Sequence, residues 1–581
     1  TTTKPAPTTT TAAATTTTTT QPAPTTTQPT TTTTQPVPPP VALTAELLAG
    51  RATFGATPGV VNRINAIGTT AWIEEQLSGK QADGKGLDDA SSRLAGAKWI
   101  TKSVDDLHKD MQDAWTKAAD DQKGRIVEQV ASEWFIEFEH ADLVRAVHSE
   151  RQLHEVMVQF WSNHFSTPRR IKESGTHPLR PSLIRDVIRP NALGKFSDLL
   201  LAQCQHPAML FYLDNVGNNG KLGTMNVNYA RELLELHTLG IIEGKQVYDE
   251  DDVRATAKVM SGWTATRAWS DSAIRPAEGF TAFRFDAALH NLDAVSILRD
   301  PQGLRAPQWS RPAREQGTAT IEDGKDLVRF LAKHESTARY IAWKLVRHFV
   351  TDAPDVTSND NLVDRLAKVY RDNDTAIAPV LRALLRSPEF AASSGKKFKR
   401  PTEYMVSALR VSRAATLGWD LQAGAPIVLS AQDEAYWRPV GGWGYKLGQP
   451  MNGYPTPDGW PDVRSVWLTS SGMLQRWNFA GQLGRNQLKC AGTGNTNVGV
   501  GVDAKSLLVT QWSGLDAPKT VRDAVRALAK QFGIALSDAD AKAIEDAAGL
   551  SASGLLASVT DVGAGAAVGL LLCHPQFMMR G

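Results

Sequence analysis

Residues 336–349 read Ser-Thr-Ala-Arg-Tyr-Ile-Ala-Trp-Lys-Leu-Val-Arg-His-Phe, and the spacing of their apolar side chains decides the class of fold. Ala338, Ile341, Ala342, Leu345, Val346 and Phe349 recur at intervals of three and four, which lines them along one buried stripe of an α-helix. Leu153, Val156, Met157, Phe160, Trp161 and His164 repeat the pattern. Around these helices, three places carry a leucine-rich run that meets His or Ser and then Pro: Leu199 to Pro207, Leu381 to Pro388 and Leu570 to Pro575. Each reads as one helix ending and the next beginning, with proline in a first turn where its missing N–H costs nothing. Ser387 is a good N-cap, whereas His206 and His574 are poorer ones. The irregular spacing of these sites excludes a solenoid. The expectation is an all-α fold: a large multi-helix globular domain with a few short strands in loop excursions, preceded by a disordered Thr/Pro-rich stalk.

The segments divide by character. Thr1–Pro40 is about half threonine, with Lys4 its only charge. With almost nothing large and apolar to bury, it cannot offset the entropy of ordering, and it reads as an O-glycosylated stalk or linker of an exported protein. A start at Thr1 rather than Met fits a chain whose signal peptide has been removed, so the expected location is extracellular or the cell surface. Residues 41–430 read as the main helical domain. Residues 431–500 are rich in aromatics, Gly and Pro and are expected to pack on it, and 501–581 return to helical periodicity. Strand signals are few: Phe283 and Phe285 alternate with polar neighbours as in a short hairpin, 270–314 otherwise reads as irregular, and Gly492–Gly501 as a glycine-rich loop.

Composition excludes several functions. The 581 residues carry 63 Lys and Arg against 61 Asp and Glu, a net +2, which argues against a protein that coats nucleic acid. No apolar run is long enough for a membrane-spanning helix. Cys204, Cys490 and Cys573 are dispersed and make no C-x-x-C, which rules out a cysteine-rich zinc site. There is no phosphate-cradling loop, nucleophile elbow, or nucleotide or haem motif. His154-Glu155 begins an H-E-x-x-H pattern, but Val158 stands where the second histidine must be, so one zinc cannot be gripped there. Lys396, Lys397, Lys399 and Arg400 read as a solvated loop before the helix at Pro401.

One helix has an unusual charge pattern: Asn228-Tyr-Ala-Arg-Glu-Leu-Leu-Glu-Leu-His237. Tyr229, Leu233 and Leu236 form its expected apolar stripe, with Ala230, Leu234 and His237 beside it. Arg231, Glu232 and Glu235 share the opposite face. Two carboxylates one turn apart with a guanidinium suit general acid–base work, a bound divalent cation or a plain ion pair. The region 436–477 adds Trp437, Trp443 and Trp460, which either stack on sugar rings or plug gaps between helices.

From about Val41 to Gly581 the chain resembles the bacterial domain-of-unknown-function family eighteen-hundred. The resemblance rests on Arg51-Ala-Thr-Phe-Gly-Ala-Thr-Pro58, Trp161-Ser-Asn-His-Phe165, His206-Pro-Ala-Met-Leu210 and Leu213-Asp-Asn215. It continues through the charged helix, Ser261-Gly-Trp-Thr264, Ser387-Pro-Glu-Phe390 and Gly459-Trp-Pro461. It implies a large, mostly helical, commonly exported protein and no particular reaction. Two positions depart from the family pattern: Val227 stands where a glutamate is usual, and Asn291 follows His290 where an aspartate is usual. Two classes of function stay open. One is an exported enzyme acting on a cell-envelope or environmental polymer, foremost a polysaccharide. Its Glu232 and Glu235 would serve as acid and base, His164 and His237 as proton shuttles or ligands, Arg231 as an anion stabiliser and Asp214 as a further carboxylate. The other is a non-catalytic surface module whose charged motif is a buried network. Either way, Glu232, Glu235 and Arg231 are expected to face inward near His164.

Overall fold

The helix expected at 336–349 spans Glu335–Phe349, and its six-residue stripe is buried. His334 opens it, its Nδ1 accepting from Ser336 N at 3.1 Å. The computed structural model describes residues 41–581 apart from 96, 169–178, 222–224, 267–268, 271–272, 275–281, 299–307, 414, 417–440, 452, 492–496 and 512–516. The stalk expected over Thr1–Pro40 therefore lies outside the described residues, as does Trp437.

Helices dominate residues 41–581, which form one compact unit around a core running from Ala45 to Met578. The three His/Ser-Pro sites are helix starts. His206 Nδ1 accepts from Ala208 N, Ser387 Oγ from Phe390 N and His574 Nδ1 from Gln576 N, each at 3.2 Å. The histidine caps work because only a neutral ring has an acceptor nitrogen, and burial pushes His206 down to about 4. Among the described residues no helix is long and apolar enough to cross a membrane.

The strands are short, but they reach beyond one excursion. Phe283–Phe285 pairs antiparallel with Trp263–Ala265, and Val295–Ile297 with Trp309–Arg311, so 270–314 is less irregular than its composition suggests. Within the glycine-rich stretch read as a loop, Asn497–Gly501 is a strand joining Lys489–Ala491 to Ala415–Thr416. Glycine carries no side-chain signal for pairing, so this ladder is invisible to a reading of alternation.

Candidate functional site

The charged helix begins at Asn228, after an Asx turn in which Asn226 Oδ1 accepts from Asn228 N at 2.9 Å. It runs as an α-helix to Glu232 and widens into a π turn over Leu233–His237. This widening changes the expected stripe. In an α-helix Leu236 would lie under Tyr229, but the under-wound turn carries Leu236 outward and brings His237 into the buried row. Tyr229, Ala230, Leu233 and Leu234 are buried as their spacing predicts.

Glu232 and Glu235 are half-buried on the other face. Burial and the nearby Glu235, with Asp458 adding to them, push the Glu232 carboxyl up to about 7 against the pull of Arg231. Two phenols stand beside the pair. Burial and the Glu235 carboxylate, which accepts its O–H, hold Tyr248 well above the usual phenol range. Burial and Glu232 push Tyr212 up to about 12, and its hydroxyl donates to Pro455 O at 3.0 Å. Arg231 leans outward instead, donating from Nη2 to Glu250 Oε2 at 3.0 Å. It guards the rim rather than facing inward as expected.

Behind the carboxylates lie His164 and His237, 1% and 0% exposed, with ring centroids 6.1 Å apart. Lys344, from the helix 335–349, donates from Nζ to His164 Nδ1 at 2.9 Å. That fixes the tautomer: His164 Nε2–H donates to His237 O at 3.2 Å. Burial holds His164 well below the usual imidazole range and pushes His237, whose two ring nitrogens find no partner among the described residues, down to about 3. Burial also pushes Lys344 down to about 8, and among the described residues it forms no ion pair. Asp458 lies within charge range of both Glu232 and Lys344, which ties the two groups together.

The neighbouring residue of the same helix, Asn163, holds the loop that carries Asp458. Its Nδ2 donates to Trp460 O at 2.9 Å, and its Oδ1 accepts from Trp460 N at 2.7 Å. Gly459 has φ +74°, and a Cβ there would stand 2.3 Å from Asn163 O, so only glycine lets the loop come this close. Further along the loop, Asp462 accepts from His348 Nδ1 at 2.6 Å and from Lys397 Nζ at 3.1 Å. Burial works against its charge, but Lys397 and Arg400 hold its carboxyl well below the usual range. Glu403 accepts from Arg400 Nη2 at 2.9 Å and lies 3.1 Å from Arg580 Nη1. Those two cations outweigh burial and bring it down to about 2.

The basic cluster is thus not a solvated loop. Lys396 is exposed, but Lys397, Lys399 and Arg400 are buried, with Lys399 Nζ donating to Phe577 O at 2.7 Å. Glu155, of the failed zinc pattern, is likewise a buried ion-pair member, bound by Arg189 at 2.7 Å.

The remaining candidates fall elsewhere. Asp214 sits in left-handed backbone (φ 60°) at a turn, its carbonyl accepting from Asn226 Nδ2 at 3.2 Å. Trp443 is buried edge-on against Phe479, with centroids 5.4 Å apart. Trp460 is half-buried between Tyr454 (4.5 Å) and Trp467 (5.7 Å). These two tryptophans do not present an open sugar platform. Asn291 is a backbone clamp, donating to Gly220 O at 2.9 Å, and the adjacent His290 donates from Nδ1–H to Ser261 O at 2.8 Å. Among the described residues no group of three or more His, Cys, Asp or Glu side chains gathers as metal ligands would. Lys344, Tyr212, Tyr248, Asp458 and Asp462 were not candidates from the sequence. Nothing in the spacing marks Lys344, which shares its helix with Arg339 and Arg347.

The family described as "Protein of unknown function (DUF1800)" matches residues 47–579. Neither a curated protein nor a solved structure is similar enough to count as a match.

Proposed function

The chain belongs to the DUF1800 family, and from that premise we propose that it is an exported enzyme that hydrolyses an extracellular or cell-envelope polymer, foremost a polysaccharide, by acid–base chemistry at Glu232 and Glu235. The observation that carries this reading is the Glu232 carboxyl, pushed up to about 7 in a half-buried position beside a second carboxylate and two phenols. Such a group still holds its proton near neutral pH, as a general acid must. In the proposed step Glu232 gives its proton to the leaving oxygen as the bond to carbon breaks. Glu235 takes a proton from the water that attacks the same carbon. Tyr248 orients Glu235 through its hydroxyl, and Lys344, fixed by His164, supplies positive charge from behind. Export is drawn from the Thr/Pro-rich tract alone.

A second reading, a non-catalytic surface module, draws on the sealing of His164 and His237 and on the burial of Trp443. A panel of dye-labelled cell-envelope and plant polysaccharides separates the two. Glu232→Gln should lower kcat by about a hundredfold or more with melting unchanged or raised. For the wild type, the rate should fall as pH rises through about 7, where the acid loses its proton. A rate indifferent to Glu232→Gln, or one that keeps rising above pH 7, would remove the acid–base assignment.

A further inference from the structure

Beside the Asn163–Trp460 clasp, and lined by both residues, lies a small cavity of about 40 Å³ that the acid–base reading does not use. Its wall includes Arg180, Arg400, Ser162 and Trp460 and, among the described residues, contains no Asp or Glu. Arg180, Arg400 and Ser162 are 4–6% exposed. The polar atoms left over are nearly all donors. Arg180 Nη1 donates to Thr167 Oγ1 at 2.9 Å, but its Nε–H finds no acceptor among the described residues. Arg400 Nη2 is taken by Glu403, and its Nε–H is again without an acceptor among the described residues. Trp460 Nε1–H and the Ser162 hydroxyl have no partner among the described residues either.

Stranded donors of this kind cost free energy unless something accepts from them. Neutral ligands with as many donors as acceptors would leave the mismatch in place. Charge points the same way. Arg400 is balanced by Glu403, but Arg180 forms no ion pair among the described residues. Asp142, its nearest acid by charge, is engaged by Arg189 at 3.1 Å. Among the described residues the wall therefore carries a guanidinium with no directly paired acid, though Asp142 and Glu139 lie within charge range of it, and guanidinium groups match the oxygens of carboxylate, sulfate and phosphate in a plane.

We propose that this cavity is a binding site for an oxyanion, the carboxylate, sulfate or phosphate group of an acidic ligand, held by Arg180, Arg400, Ser162 and Trp460. Trp460 acts here as an N–H donor rather than as a stacking platform. The site stands whether or not Glu232 is catalytic, because it is read by binding.

Calorimetric titration of the full chain at pH 7 and constant ionic strength tests it, with sodium sulfate, sodium phosphate and sodium acetate as probes and sodium chloride as the reference. One-to-one saturable binding of at least one oxyanion, and none of chloride, is expected. Arg180→Gln should weaken it about tenfold or more, and Trp460→Phe, which keeps the ring and loses the donor, several-fold. Preference for acetate would identify a planar carboxylate, and preference for sulfate or phosphate a tetrahedral group; both support the site. No saturable heat with any of the three overturns the proposal, as does an isotherm that Trp460→Phe and Ser162→Ala leave unchanged. Those two variants decide the matter even if Arg180→Gln fails to fold.

Discussion

Two charged regions hang from one loop, and they are built on opposite terms. At its Asp462 end the charges are closed into pairs: Lys397 and His348 on Asp462, Arg400 and Arg580 on Glu403. At its Asp458 end they are not. Glu232 faces other acids, and Lys344 donates to a neutral imidazole instead of a carboxylate. Pairing holds the Asp462 and Glu403 carboxylates ionised over the whole physiological range, whereas burial without such pairing brings Glu232 and Lys344 to about 7 and about 8. The difference separates the two jobs of buried charge. A balanced network fixes geometry, and an unbalanced one has protons to exchange near neutral pH.

The contrast breaks most visibly at Glu403. Replacing it by Gln strands Arg400 and Arg580 in the interior, and urea denaturation should show a loss of about 3–5 kcal/mol. A loss below about 1 kcal/mol would mean that the closed network is not holding the helices.

The open region should respond in the opposite sense. The folded carboxyl of Glu232 lies above its value in the unfolded chain, so the folded state holds the proton longer and wild-type stability falls as pH rises from about 4.5 to about 7. Glu232→Gln removes that cost. It should raise stability at pH 8 by about 1–2 kcal/mol, discounted for the solvent that reaches the group, and change little at pH 4. Equal effects at both pH values would show that the proton is not shared between fold and solvent in this way.

Lys344→Met should have the smallest effect, between zero and about 1 kcal/mol stabilising at pH 7, since a half-buried cation with no directly paired acid among the described residues is exchanged for a side chain of similar length. Because the folded ammonium lies below its unfolded value, the wild type should gain stability between about pH 8 and 10.5. The variant should lack that rise, and thermal melts across the window would reveal it.

The helices were legible because burial has a period, as in Leu362–Asp372, where Leu362, Val363, Leu366, Ala367 and Tyr370 are buried; Leu153–His164 buries its expected stripe too, but also His154, Glu155, Val158 and Ser162 beside it. The charged helix was legible only as far as Glu232. Beyond it the π turn re-aims Leu236 and His237, and nothing in side-chain spacing announces a change of backbone pitch. Charge was harder still. Lys397 and Lys399 look like a surface run because their partners lie 45 residues away at Asp352 and 178 residues away at Phe577. Lys344 was hidden for the opposite reason: its spacing fits the helix, and its partner is His164, 180 residues earlier.

The clasp around Arg51 has a further consequence, for the order of assembly. Its backbone carbonyl accepts from Arg580 Nη2 at 2.8 Å, 529 residues away, and its Nη1 donates to Phe349 O at 2.8 Å. Gly50 packs so closely on Gly581 that a Cβ there would stand 2.8 Å from the Gly581 Cα. The first helix of the core therefore cannot seal until Arg580 and Gly581 are in place. Contacts this distant in sequence close slowly, and until they do the buried guanidinium and the apolar face beside it are open to water. The docking of Gly50 and Arg51 on Arg580 and Gly581 should therefore be a late, slow step, after most of the helices have formed.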